Sequence, residues 1–366
     1  MGLTRTLIVA FATVLGASSA QAHHELGAAF LDEEVTIEGR VVEYNFKNPH
    51  ANIILSVAGG SGAETLWMAT APAPSSLRRG GWSADSIREG QRLRVTGLGS
   101  RDGGPMILLE SRHWDGGAIV ALDSADGSAI GAVTGTPNVG VPFTPVASME
   151  GNRADGQPNF TGTLAKHPSV RASEATRDRN SPPLNERGAS LQAAFNPVDD
   201  PSFTECAAHG LVRQASTVQV VRIAQFPDRV EFEYEEGAAR RVAWLDGQEP
   251  ETAGDGQEPA PDGSTNLGHS VARYVNDTLV VETDRLLSNL TGTEGNAVSD
   301  RHTVVETYRR VDDDIGPALE MTMVVNDPDY LASPWEIRWT KYYVADYEFT
   351  ELDCRLPFFA NQQEPG

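Results

Sequence analysis

Three histidines and two cysteines carry most of the chemistry that residue type and spacing suggest. His23 and His24 are adjacent, and His50 follows Asn48-Pro49. If His23 begins the mature chain, its amine and imidazole chelate one ion, and His50 supplies a further nitrogen. His24 offers a competing chelate through the amine, the intervening amide and its own ring. Nitrogen donors in a plane suit copper(II), with zinc the competitor. Ligation needs neutral imidazoles, so affinity should fall as pH drops through about 6. The alternative role for His50 is a backbone hydrogen bond that fixes a turn. Cys206 and Cys354 are the sole cysteines. In an exported chain an even number of cysteines reads as a disulfide.

Nucleophilic and phosphate chemistry find little support. There is no G-x-S-x-G elbow, and Gly268-His269-Ser270 lies inside a strand pattern without an orienting third group. The glycines lack the strand-loop-helix context of a phosphate cradle. The catalytic residues are therefore left unassigned, and a non-enzymatic protein is favoured over an enzyme.

The N-terminus has the form of a secretory signal: Arg5, an apolar run from Leu7 to Leu15, and Ala20-Gln21-Ala22. Cleavage after Ala22 leaves His23 first, and cleavage after Ala20 competes. No later apolar run approaches the roughly 20 residues of a membrane span. The mature protein is thus expected to be soluble and periplasmic or secreted, as in bacteria. With 51 acidic against 29 basic residues and a net charge of −22, nucleic acid is an unfavourable partner.

The elements that position these residues are mainly strands. Val35 to Val41 alternates with polar neighbours, and Ile53 to Val57 is a second β-branched run. Pro49 between them forces a turn or bulge, where a side chain is re-aimed. Glu64–Ala71, Arg92–Gly97 and Met106–His113 complete five strands, with a short helix capped by Ser75 and closed by Gly80-Gly81 after the third. That order is the order of an OB-like five-stranded barrel. From about Val133 the composition turns to Gly, Pro, Ser and Thr without period, which reads as a linker.

About eight further strands follow: 218–225, 229–235, 240–245, 269–275, 278–284, 303–311, 319–325 and 335–347. They predict an antiparallel barrel or curved sandwich, interrupted by an acidic excursion over 246–267. The expected division is a signal at 1–22, an OB-like domain at 23–132, a flexible linker at 133–195, a second β-barrel domain at 196–358 and a tail at 359–366.

Two groups of residues resemble known families. Ala22-His23-His24, Phe30, Asn48-Pro49-His50, Trp67, Leu77-Arg78-Arg79 and Gly81-Trp82 are similar to small exported bacterial proteins known as domain of unknown function 6152. Gly268-His269-Ser270, Asp277 to Thr283, Asp327-Pro328 and Pro334-Trp335 resemble a β-rich domain of uncharacterised exported bacterial proteins. Neither resemblance implies an activity; both imply export. Two functional readings follow. One is a non-enzymatic module for a small molecule or an envelope partner. The other is a periplasmic copper or zinc protein, or a metal-dependent enzyme, using His23, His24 and His50.

Overall fold

Period-two burial shapes both halves of the molecule. The computed structural model describes residues 30–59, 62–101, 103–110, 113, 118–122, 131–133, 144–167, 179–196, 200–204, 206–217, 219–245, 259–292 and 294–355. Residues 1–22, expected to be a signal, His23, His24 and the expected tail 359–366 lie outside the described residues.

The first half contains β1 (Phe30–Asn45), β2 (Asn52–Ala58), β3 (Glu64–Thr70), α1 (Pro74–Arg79), β4 (Arg92–Ser100) and β5 (Met106–Leu108). The five strands close in the order β1-β2-β3-β5-β4, with β4 returning to β1 and only the β3–β5 pair parallel. This is the OB-like barrel that the strand order predicts. Strand β1 serves two neighbours because it bends. Phe30 to Arg40 pair with β4, Arg40 to Asn45 pair with β2, and the register shifts between Val41 and Glu43. An extra residue at such a bulge lets one strand turn a barrel corner. Ile53, Ala69 and Ile107 are register partners and point inward with Leu55, Val95 and Trp82. Each large apolar side chain buried in this way contributes about 1.5–3 kcal/mol.

Two details differ from expectation. The fifth strand stops at Leu108 rather than His113; β6 (Ile119–Ala121) then takes the next stretch of the same β4 edge, and β7 (Gly131–Ala132) pairs outside it. Helix α1 begins at Pro74, with no side-chain cap, instead of being capped by Ser75. Proline's fixed φ suits the first helical position, and the Ser75 hydroxyl is used across the molecule, donating to Gln219 Oε1.

The second half runs through β8 (Gly162–Ala165), α2 (Glu186–Ala194), α3 (Pro201–Thr204), α4 (Leu211–Ala215), β9 (Val221–Gln225), β10 (Arg229–Tyr234) and β11 (Ala239–Leu245). It continues with β12 (His269–Val275), β13 (Thr278–Asp284), β14 (Asn289–Leu290), β15 (Ala297–Val298), β16 (Thr303–Asp312), β17 (Pro317–Asn326) and β18 (Trp335–Val344). Nine strands form a closed barrel in the order β10-β11-β12-β13-β16-β17-β18-β8-β9. Eight are the expected strands. The ninth, β8, comes from the stretch 133–195 expected to be a flexible linker, and it fills the gap between β18 and β9. Residues before it already run along the barrel, with Val146 N donating to Tyr343 O and Ala345 N to Thr144 O. Helix α2 docks as well: the Asn185 side chain caps its first turn at Gly188 N and donates to Asp329 O.

The barrel is antiparallel except for β11–β12, which is parallel. Parallel neighbours need a long crossover, and 23 residues separate Leu245 from His269 in the sequence.

Residues 346–355 leave β18 as a strap that passes between the barrels. Among the described residues no helix is long and apolar enough to cross a membrane.

Candidate functional site

A cleft of about 430 Å3 opens between the barrels. One wall belongs to the first barrel: Pro49, His50, Asn52, Met68, Thr70 and Met106. Strand alternation explains this set. With Ile53, Ala69 and Ile107 turned inward, their neighbours Asn52, Thr70, Met68 and Met106 must face outward. Register then sets Asn52 opposite Thr70, and Met68 opposite Met106. The face of strands 2 and 3 is where OB-like barrels take ligands.

The second wall is formed by Ser202, Cys206 to His209, Arg213, Gln214, Glu236, Gly237 and Ala239. Here buried charge is held rigidly. Arg213 Nη1 lies 3.0 Å from Asp200 Oδ2, and both side chains are almost fully buried. Asp200 also accepts from Ser202 N and Oγ, so one carboxylate ties α3 to α4. His209 Nδ1 stands 3.6 Å from Glu236 Oε1. Glu236 Oε2 accepts from the Thr217 hydroxyl, and Gln214 Nε2 donates to the Glu236 carbonyl at 2.9 Å.

The strap supplies the third wall, Leu352 to Arg355. Cys354 is disulfide-bonded to Cys206, with Cα atoms 6.1 Å apart. The expected disulfide is therefore present, and both of its ends line the cleft.

His50 sits just after the Asn48–Pro49 bond, which is cis. Its Nδ1 is 3.1 Å from Ala71 O. A carbonyl only accepts, so Nδ1 carries a proton, and the tautomer this bond selects has its lone pair on Nε2. The turn-fixing bond expected of His50 is thus made, and the ring borders the cleft as well. Its proposed co-ligands His23 and His24 lie outside the described residues. Among the described residues, no group of three or more His, Cys, Asp or Glu side chains could hold a metal ion.

Gly268-His269-Ser270 has a structural role. Ser270 Oγ pairs with Thr283 Oγ1 at 2.9 Å across β12 and β13, buried in the barrel. His269 Nδ1 lies 3.5 Å from the exposed Asp284.

Sequence reasoning missed His209, Arg213 and Glu236. The spacing Cys206-Ala-Ala-His209 was the available signal for the first. For Arg213 and Glu236 there was none, since their place depends on pairing across the fold.

A second polar cluster lies inside the larger barrel. Arg241 Nη1 is 2.5 Å from Glu306 Oε2, and Tyr308 OH donates to Glu306 Oε1 at 2.6 Å. The Arg241 guanidinium stacks 4.5 Å from the centroid of Phe232. Burial works against the Arg241 charge; the facing Glu306 more than restores it, holding the group above its ordinary range.

No curated protein and no solved structure matches the chain. Residues 12–108 match the model of a family described as being of unknown function, DUF6152; the match ends on the last residue of β5, so the segment that builds the OB-like barrel is similar to that family.

Proposed function

We propose that the chain is an exported, non-enzymatic binding protein that holds a small molecule in the cleft between its barrels. The cleft itself carries this reading. Its volume of about 430 Å3 suits a small organic ligand. Met68, Met106, Ala207, Ala208, Ala239 and Leu352 supply apolar surface, while His50, Asn52, Thr70, His209 and Gln214 offer neutral polar groups and Arg213, Glu236, Asp353 and Arg355 offer charge. Apolar surface combined with placed polar groups is the general form of small-molecule sites, and the charged groups here favour a polar ligand.

Native mass spectrometry of the full chain isolated from the periplasm tests this. Ala207 is exposed on the cleft wall. A co-purifying mass should appear with the wild-type protein and vanish in Ala207→Trp, which fills the space. A bare chain, or a bound mass indifferent to that substitution, counts against the reading.

The metal reading has one observation in its favour. The Ala71 carbonyl holds His50 Nδ1 as backbone carbonyls behind metal sites hold ligating histidines, with Nε2 left for ligation. Copper(II) titration of the mature chain decides it. His50→Ala should weaken binding by tens-fold, about 2 kcal/mol, and an added residue before His23 should weaken it too. No change from either would dispose of the metal site.

A further inference from the structure

The turn between β1 and β2 does more than close a barrel corner. Asn48 is almost wholly buried, and its three hydrogen bonds all go to main-chain atoms of the strap. Asn48 N donates to Glu351 O at 2.9 Å, Asp353 N donates to Asn48 O at 2.8 Å, and Asn48 Nδ2 donates to Thr350 O at 3.0 Å. The bridge to Leu352 is that of a parallel strand pair. Side chains add a charge pattern, acidic positions followed by one basic residue, Arg355, whose Nη2 lies 2.8 Å from Glu43 Oε1. Lys47 Nζ is 2.9 Å from Glu351, and Asn45 Nδ2 donates to Asp353 Oδ2 at 3.0 Å. At the strap's start, Arg78 donates to Glu348 O at 3.3 Å, and its guanidinium lies 5.9 Å from the Tyr347 ring centroid.

We infer that this face of the first barrel is a docking site for an extended acidic peptide, and that the chain's own strap fills it in cis. Recognition through main-chain atoms is the mode of strand addition: backbone bonds supply affinity and flanking side chains supply selectivity. The acceptor residues Asn45, Lys47, Asn48 and Arg78 fall within the stretch 12–108 that matches a family model, whereas the strap lies outside it. The receptor thus belongs to a unit defined without this occupant. In this chain the Cys206–Cys354 bond holds the occupant in place. A dithiol reductant that converts the pair to two thiols, and is itself oxidised to a disulfide, leaves the strap held by non-covalent contacts alone. An extended acidic segment of another protein then competes for the site. The inference is independent of a ligand in the cleft.

The probe is a labelled synthetic peptide spanning residues 347–355 with Cys354→Ser. Against a chain ending at Ala345 and carrying Cys206→Ser, anisotropy should show saturable binding. Asn48→Ala should weaken it about tenfold, the worth of a buried hydrogen bond. A peptide with Glu351→Lys and Asp353→Lys should fail to bind. The oxidised full chain should not bind the probe. Absence of saturable binding to a shortened chain with native circular dichroism overturns the proposal, as does binding indifferent to Asn48→Ala. If the shortened chain unfolds, hydrogen exchange on the full chain with Cys206→Ser and Cys354→Ser decides. Strap amides that are protected, and that exchange faster when excess peptide is added, support the docking site; amides that exchange freely, or ignore the peptide, overturn it.

Discussion

Inside the first barrel Ile53, Ala69 and Ile107 meet at one level, and Leu55, Val95 and Trp82 fill the space around them. Inside the second barrel an apolar core that includes Leu164, Ile223, Val281, Met323 and Ile337 also encloses Arg241, Glu306 and Tyr308 beside Phe232, with Lys341 buried as well. Both interiors are built on apolar burial, but the second adds buried charge to it. The apolar barrel gains on every residue it buries. The larger barrel must first overcome the cost of taking an arginine and a glutamate out of water, which only close pairing and hydrogen bonding offset. A nine-stranded barrel is wider than a five-stranded one, and long polar side chains reach across it. The polar filling also fixes which side chains meet, since a register slip at any pairing from β11 through β12 and β13 to β16 would separate the pair.

The largest effect should come from breaking that pair. Glu306→Ala leaves the Arg241 charge buried without its carboxylate and should cost about 3–5 kcal/mol in unfolding of the second barrel. The first barrel should unfold as before, and because both barrels hold buried tryptophans, hydrogen exchange in denaturant, read peptide by peptide, separates the two. Replacing both partners, Arg241→Met with Glu306→Leu, should recover most of the loss. A single-variant cost below about 1 kcal/mol would mean that water reaches the pair, and the contrast between the barrels would dissolve.

The next comparison sets one apolar residue against another. Leu55 in β2 and Leu164 in β8 are both fully buried. Each change to alanine should cost about 2–5 kcal/mol, Leu55→Ala in the first barrel and Leu164→Ala in the second. Were residues 144–167 a linker, Leu164→Ala would stay within about 0.5 kcal/mol. Equal costs would establish β8 as a full stave of its barrel.

That residue marks where the sequence became illegible. The other eight strands of the large barrel each span five residues or more with visible alternation, as in Val304, Glu306 and Tyr308 on β16. Strand β8 has four residues, Gly162-Thr-Leu-Ala165, in a stretch rich in turn formers. Nothing local distinguishes it; its identity comes from Tyr343 and Val221, the partners of Leu164, which lie 179 and 57 positions away. The site divides in the same way. His50 was legible because proline punctuates the chain beside it. Arg213 and Asp200 were not, because only their burial together makes them informative. Strap recognition by Asn48 escaped as well, since main-chain bonds between distant segments leave no pattern in either one.

The smallest expected effect concerns the other buried cation of the second barrel. Lys341 Nζ donates to Gln219 O at 2.7 Å. Burial lowers its pKa to about 7, with Glu236 and Glu235 pulling in the opposite direction. The unfolded chain holds this proton up to about pH 10.4. Below pH 7 both states are protonated and the cost of the buried charge is borne in full. Between pH 7 and the unfolded value the unfolded state binds more protons, so stability must rise with pH. Lys341→Met removes that slope. From pH 7 to pH 9, a window below the ordinary tyrosine range, the wild-type second barrel should gain up to about 2 kcal/mol relative to the variant. Chemical denaturation at both pH values reads the difference. A flat difference would show that Lys341 stays charged in the folded barrel, with Glu235 and Glu236 outweighing burial. The larger barrel would then hold two stable internal cations instead of one, and the contrast with its apolar neighbour would be sharper still.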